Sequence, residues 1–251
     1  MSDAAELPSS VLARAALILH AFTEDYPDLD LAELTRRCGL PRSTTHRLAA
    51  ELIELRLLSR SPRGRYTIGT GLWELGELSP LSMRLRETAL PHLARLYETT
   101  GENVHLAILD GVDTLYVERI TGHRSVPLLS RMGGRAPLHV TGVGRAILAT
   151  RDESWLADYF TAPLERETTF SIVDEQSLRS DISATRDRGY AITRQEMTLG
   201  NSSIAAALPT IAELPQIAIG VVTHLKDADE SRLAPLVMRS AHELGQALRD
   251  A

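Results

Sequence analysis

Hydrophobic residues recur with two different periods along the 251-residue chain. Up to about residue 100 they return every three or four positions, which predicts amphipathic helices. Residues 104–120 instead alternate between apolar and polar, which is typical of strands, and helical spacing returns in 174–188 and 229–248. The pattern therefore predicts an α+β protein, with a helical N-terminal part and a C-terminal part in which helices flank an antiparallel sheet.

The N-terminal part contains two short helices that follow one another closely. Asp30 is a good N-cap, and Glu33 three residues later completes a capping-box pattern ahead of an apolar stripe. Gly39 is typical of a helix end, and Pro41 of the first turn of the next helix, because proline lacks the N–H that a helix start leaves unpaired. Two helices joined by so short a turn cross steeply, which is the geometry of a helix-turn-helix.

The second of these helices carries short polar and basic side chains on the side opposite its apolar face. Its predicted inward face consists of Thr45, Leu48, Ala49, Leu52 and Leu55. Its outward face and leading turn carry Arg42, Ser43, Thr44, His46 and Arg47. Hydroxyl and guanidinium groups on an exposed leading turn are the groups that contact base edges in the major groove of DNA. We therefore predict that these five polar residues bind DNA.

Residues 59–69 follow the second helix and are typical of a short two-stranded ribbon. The ribbon carries Arg60, Arg63 and Arg65. Residues 31–69 contain eight arginines against three acidic residues, although the net charge of the chain is −6. A local basic surface in an acidic protein indicates phosphate contact. We predict that the three ribbon arginines hold the DNA backbone or an adjacent minor groove.

Composition and motifs exclude several other classes of protein. No apolar run approaches the roughly 18 to 20 residues needed to cross a bilayer, and the acidic N-terminus does not resemble a secretory signal. The single cysteine excludes an internal disulfide and favours a reducing cytoplasm. The histidines lack metal-ligand spacing, and no serine-hydrolase elbow or complete dinucleotide glycine motif is present. We therefore predict no metal, no cofactor and no catalytic residues.

The N-terminal motif closely resembles the winged helix-turn-helix of the IclR-type bacterial transcription regulators, over LAELTRRCGLPRSTTHRLAAELIELRLLSRSPRGRYTIG. The resemblance continues, in the family's order and spacing, through LPHLARLYETTGENVHLAILDG, RAPLHVTGVGRAILA and RGYAITRQEMTLGNSSIAAALP. It implies a winged helix-turn-helix domain over residues 1–69, a linker helical region over 70–100, and a GAF-like effector-binding domain over 101–251.

The resemblance also implies that the C-terminal domain binds a small metabolite, often a carboxylate. Carried over position by position, the pocket walls come from Leu128, Leu129, Gly142, Val143, Thr193, Asn201, Ser203, Gly220 and Val222. The helix that begins at Gly142 offers free N–H groups and a positive dipole end to a carboxylate. Relatives frequently have cysteine at Ser203 and an acid at Thr193, so we expect an acid larger or more apolar than glyoxylate, such as an aromatic one.

The family further implies a homodimer or dimer of dimers that binds double-stranded DNA at an approximate inverted repeat, because two heads place their recognition helices in successive major grooves. The predicted function is a cytoplasmic, sequence-specific transcription regulator whose operator affinity is modulated by an organic acid, without a membrane partner. The alternative is a metabolite-binding or catalytic module in which the helix-turn-helix is only structural. The basic ribbon favours the regulator, because neither alternative requires a local positive surface.

Overall fold

The computed structural model describes residues 8, 10–79, 85–121 and 131–250. The chain divides into two compact units, Met1–Ser79 and Pro80–Ala251. Each unit has its own buried apolar core. Within the described ranges, no helix combines the length and the apolar character needed to cross a membrane. The α+β class predicted from the sequence is confirmed.

The first unit is a winged helix-turn-helix. Its helices are α1 (Val11–His20), α2 (Leu31–Cys38), α3 (Arg42–Glu54) and α4 (Thr70–Glu77), and its strands are β1 (Asp28–Leu29), β2 (Leu58–Arg60) and β3 (Tyr66–Ile68). The predicted ribbon corresponds to β2 and β3, which pair antiparallel. The structure adds β1 on the other side of β3, so the wing is a three-stranded sheet in the order β1-β3-β2.

Local signals at the helix ends explain the turn between α2 and α3. The Asp30 carboxylate accepts hydrogen bonds from the N–H groups of Ala32 and Glu33 at 2.8 Å each, and the Glu33 carboxylate accepts one from the Asp30 N–H at 2.7 Å. The predicted capping box is therefore confirmed. Gly39 ends α2 with φ of 69°, a left-handed conformation that glycine adopts without steric cost.

The inward face of α3 is shorter than the sequence predicts. Thr45, Leu48, Ala49 and Leu52 are buried as expected. The sequence predicts Leu55 on the same face, but its side chain is 66% exposed. The helix ends at Glu54, so the helical spacing that would carry Leu55 inward no longer applies.

The second unit is a six-stranded antiparallel sheet with helices on both faces. Its helices are α5 (Glu87–Thr100), α6 (Gly142–Leu148), α7 (Glu153–Tyr159), α8 (Glu175–Arg188) and α9 (Glu230–Asp250). Its strands are β4 (Asn103–Asp110), β5 (Asp113–Ile120), β6 (Arg135–Pro137), β7 (Ala191–Arg194), β8 (Asn201–Ala207) and β9 (Ile217–His224). The strand order is β6-β5-β4-β9-β8-β7. The predicted linker, residues 70–100, contains α4 of the first unit and α5 of the second.

The two faces of this sheet carry side chains of different size. One face presents large aliphatic residues such as Leu106, Ile204 and Ile219, which pack with α5 and α9. The other face presents alanines and glycine, including Ala205 and Gly220, and packs against α6. Small residues let a helix approach a sheet closely, so the first turn of α6 lies directly over β8.

Two glycines at the start of α6 show how close this approach is. A Cβ atom at Gly142 would lie 2.4 Å from the Oγ of Ser203 on β8. A Cβ atom at Gly144 would lie 2.4 Å from the carbonyl oxygen of Leu138. Both distances are far below van der Waals contact, so both positions require glycine.

Candidate functional site

The five polar residues predicted to bind DNA lie together at the start of α3. Arg42, Ser43, His46 and Arg47 are exposed and Thr44 is half-buried. Between them, Thr45 points inward, where its hydroxyl group donates to the Pro41 carbonyl oxygen at 3.1 Å. The leading turn of α3 therefore presents hydroxyl, imidazole and guanidinium groups to solvent.

The guanidinium group of Arg47 pairs with the Glu51 carboxylate one turn later, at 2.6 Å. Both side chains are about half exposed, at 57% and 49%. Exposed pairs of this kind contribute about 0.3–0.5 kcal/mol in a helix. Breaking this pair therefore costs little free energy when Arg47 binds another partner.

The three ribbon arginines have different surroundings. Arg63 is exposed and makes none of the ion pairs found in the described part of the chain. Arg60 is exposed, and its guanidinium carbon lies 5.2 Å from the centre of the Tyr66 ring. Arg65 donates to the Asp28 carboxylate at 2.5 Å and to the Glu33 carboxylate at 3.1 Å. Arg65 therefore ties the wing to the start of α2 and already has two anionic partners.

The second unit contains a cavity of about 50 Å³ between the start of α6, the sheet and residues 195–198. Seven of the residues that the family resemblance assigned to the pocket line it: Gly142, Val143, Thr193, Asn201, Ser203, Gly220 and Val222. The other two, Leu128 and Leu129, lie outside the described residues. Nine further described residues line the cavity and could not be read from the sequence: His105, Tyr116, Val140, Thr141, Gln195, Glu196, Met197, Thr198 and Ser202.

Cross-strand pairing explains why these side chains meet. His105 on β4 lies opposite Gly220 on β9, and Ser203 on β8 lies opposite both Val222 on β9 and Thr193 on β7. Paired residues point to the same face of an antiparallel sheet. A Cβ atom at Gly220 would lie 2.7 Å from the Cβ of Ala205 on β8, so this position also requires glycine.

His105 and Tyr116 form an aromatic pair at the β4–β5 side of the cavity. Their ring centres are 5.4 Å apart and the rings meet edge to face at 81°. Burial lowers the pKa of His105 to about 4, and the charge of Arg119 acts in the same direction. Burial raises the pKa of Tyr116 to about 12, although its hydrogen bond with Thr141 opposes the shift. Both side chains are therefore neutral at neutral pH.

A buried arginine lies behind the cavity wall. Arg145 on α6 is fully buried, and its guanidinium group pairs with Asp181 on α8 and with Glu196, both at 2.5 Å. Its Nε donates to the His139 carbonyl oxygen at 3.1 Å. Burial raises the pKa of Glu196, while the charge of Arg145 lowers it. This group, the Arg145 cluster, joins the wall at residues 195–198 to α6 and α8.

The wall itself has an unusual backbone. Gln195 has φ of 59°, a left-handed conformation that is uncommon outside glycine. The hydroxyl group of Thr168 donates to the Gln195 carbonyl oxygen and that of Ser171 to the Glu196 carbonyl oxygen, both at 2.7 Å. These bonds and the Arg145 cluster hold the wall against the cavity. The described residues contain no cluster of three or more side chains that could ligate a metal ion.

Two family models match the chain. The model described as bacterial transcriptional regulator IclR C-terminal matches residues 80–248, and the IclR helix-turn-helix domain matches residues 11–62. The cavity falls entirely within the first match and the leading turn of α3 within the second. The two candidate sites therefore lie in the two domains that the family models match.

Individual relatives agree with this assignment. The HTH-type transcriptional regulator XynR of Escherichia coli K12 is 31% identical over 227 residues, which cover 88% of each chain. The Pca regulon regulatory protein of Pseudomonas putida is 29% identical, with 93% of this chain and 82% of the relative covered. An IclR homolog from Microbacterium hydrocarbonoxydans, complexed with 4-hydroxybenzoate, superposes with a TM-score of 0.89 at 28% identity, over 96% of this chain and 100% of that one. The chain belongs to the IclR family of bacterial transcriptional regulators.

Proposed function

We propose that the protein binds an operator sequence specifically through α3 and the wing, and that a small organic acid in the cavity changes its affinity for that operator. One observation supports the proposal most directly. Seven residues that the family resemblance assigned to the pocket line a single cavity, and the other unit exposes the polar and basic side chains of α3. In the part of the chain that the structure describes, no cluster of side chains could hold a metal ion.

The DNA contacts divide into two kinds. Ser43, Thr44 and His46 carry the short polar groups that contact base edges, with Arg42 and Arg47 beside them. Arg63 at the tip of the wing supplies phosphate contact, which sets affinity without sequence preference. We infer a smaller part for Arg65, because DNA contact would require its guanidinium group to leave Asp28 and Glu33.

Exposed apolar side chains in the first unit support a homo-oligomer. Leu12 on α1 is 82% exposed, Trp73 on α4 is 68% exposed, and Leu78 after α4 is 72% exposed. Large exposed apolar groups are typical of protein–protein contact surfaces. Two copies would place two recognition helices on one face of DNA, so the operator would be an approximate inverted repeat with half-sites about 34–36 Å apart or a multiple of that.

The cavity offers neutral hydrogen-bonding groups to an acid. Thr193, Asn201 and Ser203 supply hydroxyl and amide groups, and the lining residues that the structure describes include no lysine or arginine. The Thr141 hydroxyl already accepts from the Gly144 N–H at 3.1 Å, and α6 is only seven residues long, so its dipole contributes modestly. The 4-hydroxybenzoate complex of the relative from Microbacterium supports an organic acid, including an aromatic one, as the effector class.

Fluorescence anisotropy with DNA from the upstream region of the gene tests the DNA half of the proposal. Saturable binding should survive competitor DNA, and log K should fall linearly with log salt concentration. Arg47→Ala should weaken operator binding and reduce discrimination against competitor. Arg63→Ala should weaken binding to all sequences and reduce the salt slope by about one contact. Arg179→Ala, at a half-buried arginine of the other unit, is the control.

Unchanged binding in both variants would remove the DNA-binding role from this surface.

Val143→Trp tests the effector half of the proposal, because a large ring at this position fills the cavity. We expect this variant to bind the operator normally and to lose its response to effector. Since linkage is reciprocal, operator DNA must change effector affinity in the wild type by the same factor as effector changes operator affinity. A normal effector response in Val143→Trp would place the effector elsewhere.

A further inference from the structure

Arg65, at the base of the wing, is held in place by two neighbouring elements of the fold. Its Nε donates to Oδ2 of Asp28 at 2.5 Å, and its Nη2 donates to Oδ1 of the same carboxylate at 3.3 Å. Nη2 also donates to the Asp28 carbonyl oxygen at 2.9 Å and to the Glu33 carboxylate at 3.1 Å. The guanidinium group therefore joins β3 to both β1 and the first turn of α2.

The capping box fixes the Glu33 carboxylate that receives Arg65. Its Oε2 atom accepts from the Asp30 N–H at 2.7 Å as well as from Arg65. Exposed ion pairs contribute little singly, but bidentate geometry and networks of several charges are the cases in which they matter. The contact with Asp28 is bidentate and the contact with Glu33 extends it to a network. We therefore expect this group to hold the wing more firmly than a single surface pair would.

The short strands of the wing give the hairpin little stability of its own. β2 and β3 have three residues each and β1 has two, and an isolated two-stranded hairpin is only marginally stable in water. Tyr66 anchors β3 in the core, where it is 2% exposed. Arg65 directly precedes Tyr66, and its carbonyl oxygen accepts from the Ser61 N–H at 2.8 Å. Arg65 is thus a fixed point next to the turn that carries Arg63.

The position of Arg65 matters because Arg63 is the exposed arginine of this turn. A phosphate contact made by a loosely held turn costs conformational entropy, since the turn has to be ordered when DNA binds. A turn that is ordered beforehand avoids that cost. Arg65 can therefore raise DNA affinity without touching DNA.

We propose that Arg65 is a positioning residue: its contacts with Asp28 and Glu33 fix the wing so that Arg63 meets the DNA backbone, and Arg65 itself makes no DNA contact. This inference rests on the proposed function and replaces the direct contact that the sequence predicts for Arg65. It also gives the two carboxylates a favourable part in DNA binding, although their negative charge repels phosphate.

Asp28→Asn separates the two roles of Arg65, because they predict opposite changes. If Arg65 contacted phosphate, this variant would release its guanidinium group and remove a negative charge, so affinity should rise and the salt slope should steepen by about one contact. If Arg65 positions the wing, operator affinity should fall by roughly threefold or more despite the lost negative charge. Fluorescence anisotropy of the full-length protein on DNA from the upstream region measures both quantities.

Glu51→Gln is the matched control for the removal of a carboxylate. Glu51 also pairs with an arginine of the DNA-binding surface, Arg47, at 2.6 Å, but this pair lies within α3 and joins no two elements. We expect Glu51→Gln to bind the operator at least as tightly as wild type, in contrast to Asp28→Asn.

Lysine substitutions give an independent test of the same role. Lysine keeps the positive charge but lacks the planar fork that binds a carboxylate through two nitrogens. At Arg63, lysine should restore most of the affinity that alanine removes, because phosphate contact depends chiefly on charge. At Arg65, lysine and alanine should weaken operator binding alike.

Hydrogen exchange of the protein without DNA measures the order of the wing directly. In Asp28→Asn and Arg65→Lys, the amides of residues 61–68 should exchange faster than in wild type, while those of α3 keep the wild-type rate. Faster exchange that includes α3 would show that these contacts support the whole unit, and it would overturn a role specific to the wing.

The binding outcomes distinguish failure of the inference from failure of the proposed function. Tighter or unchanged operator binding in Asp28→Asn, or Arg65→Lys that binds like wild type, would overturn the positioning role and leave the proposed function standing. If wild type shows no specific binding to the upstream DNA, the proposed function fails and the inference fails with it.

Discussion

Replacing Arg145 with methionine should strongly destabilise the second unit. The substitution keeps an unbranched side chain of similar length but removes the positive charge between Asp181 and Glu196. Arg145 is fully buried, and the Glu196 side chain is only 8% exposed, so water cannot replace the lost partner. Removing one partner of a buried ion pair costs about 3–5 kcal/mol. For a unit of this size, that corresponds to a fall of roughly 6–20 °C in Tm.

The chain offers a matched control in Arg179, on α8. Its guanidinium group also contacts two carboxylates, those of Glu153 and Glu175, but its side chain is 29% exposed and the Glu153 side chain 73% exposed. Exposed pairs contribute about 0.2–1 kcal/mol each. Urea unfolding of both methionine variants should therefore give a loss several times larger for Arg145 than for Arg179.

The pH dependence of the Arg145→Met loss provides a further check. Burial already raises the pKa of Glu196, and removing Arg145 removes the charge that lowers it. A carboxyl group whose pKa is higher in the folded state favours folding at low pH and loses that contribution as pH rises through the folded pKa. The deficit should therefore be smaller at about pH 5 than at about pH 8. Equal losses for the two arginines, or a deficit that does not shrink at acidic pH, would refute the reasoning.

Three further predictions concern stability. The unfolded chain protonates His105 near its ordinary pKa of 6.5, whereas the folded chain protonates it only near a pKa of 4. His105 should therefore cost wild type about 2 kcal/mol of stability as the pH falls from 7 to about 5. Urea titrations of His105→Phe should lack that loss. Gly144→Ala should destabilise by about 1–3 kcal/mol, since its Cβ would lie 2.4 Å from the Leu138 carbonyl oxygen. At Gly76, within α4, an added Cβ would meet no atom of the described residues within 4 Å. Gly76→Ala should therefore stabilise by up to about 1 kcal/mol, and thermal unfolding measures both glycine variants.

Local signals in the sequence were sufficient for most elements of the first unit. The capping box at Asp30 and the glycine at the end of α2 are short-range interactions that depend on neighbours within a few residues. The strand β1 could not be predicted in this way, because two residues are too few to show alternation. The pairing of Arg65 with Asp28 joins residues 37 positions apart, so it depends on tertiary structure.

The cavity was only partly predictable. Its glycine, valine and hydroxyl positions follow from the family resemblance, whereas His105 required knowledge of which face of β4 meets α6. Six consecutive residues of β4 are buried, so alternation between apolar and polar residues does not identify that face. Arg145 looks like an ordinary surface residue of a helix in the sequence. Its burial results from carboxylates 36 and 51 positions away.

The division of the sheet into two unlike faces has a consequence for how such proteins diversify. Along β7, β8 and β9, a residue that faces the cavity is adjacent to one that belongs to the aliphatic core, as in the pair Ser203 and Ile204. Most of the large apolar burial lies on the side away from the cavity. Under the proposed function, point substitutions at cavity positions other than the glycines would alter ligand recognition, while the folding free energy would be largely retained. New chemical sensitivities can arise by single mutational steps in a regulator that stays folded throughout.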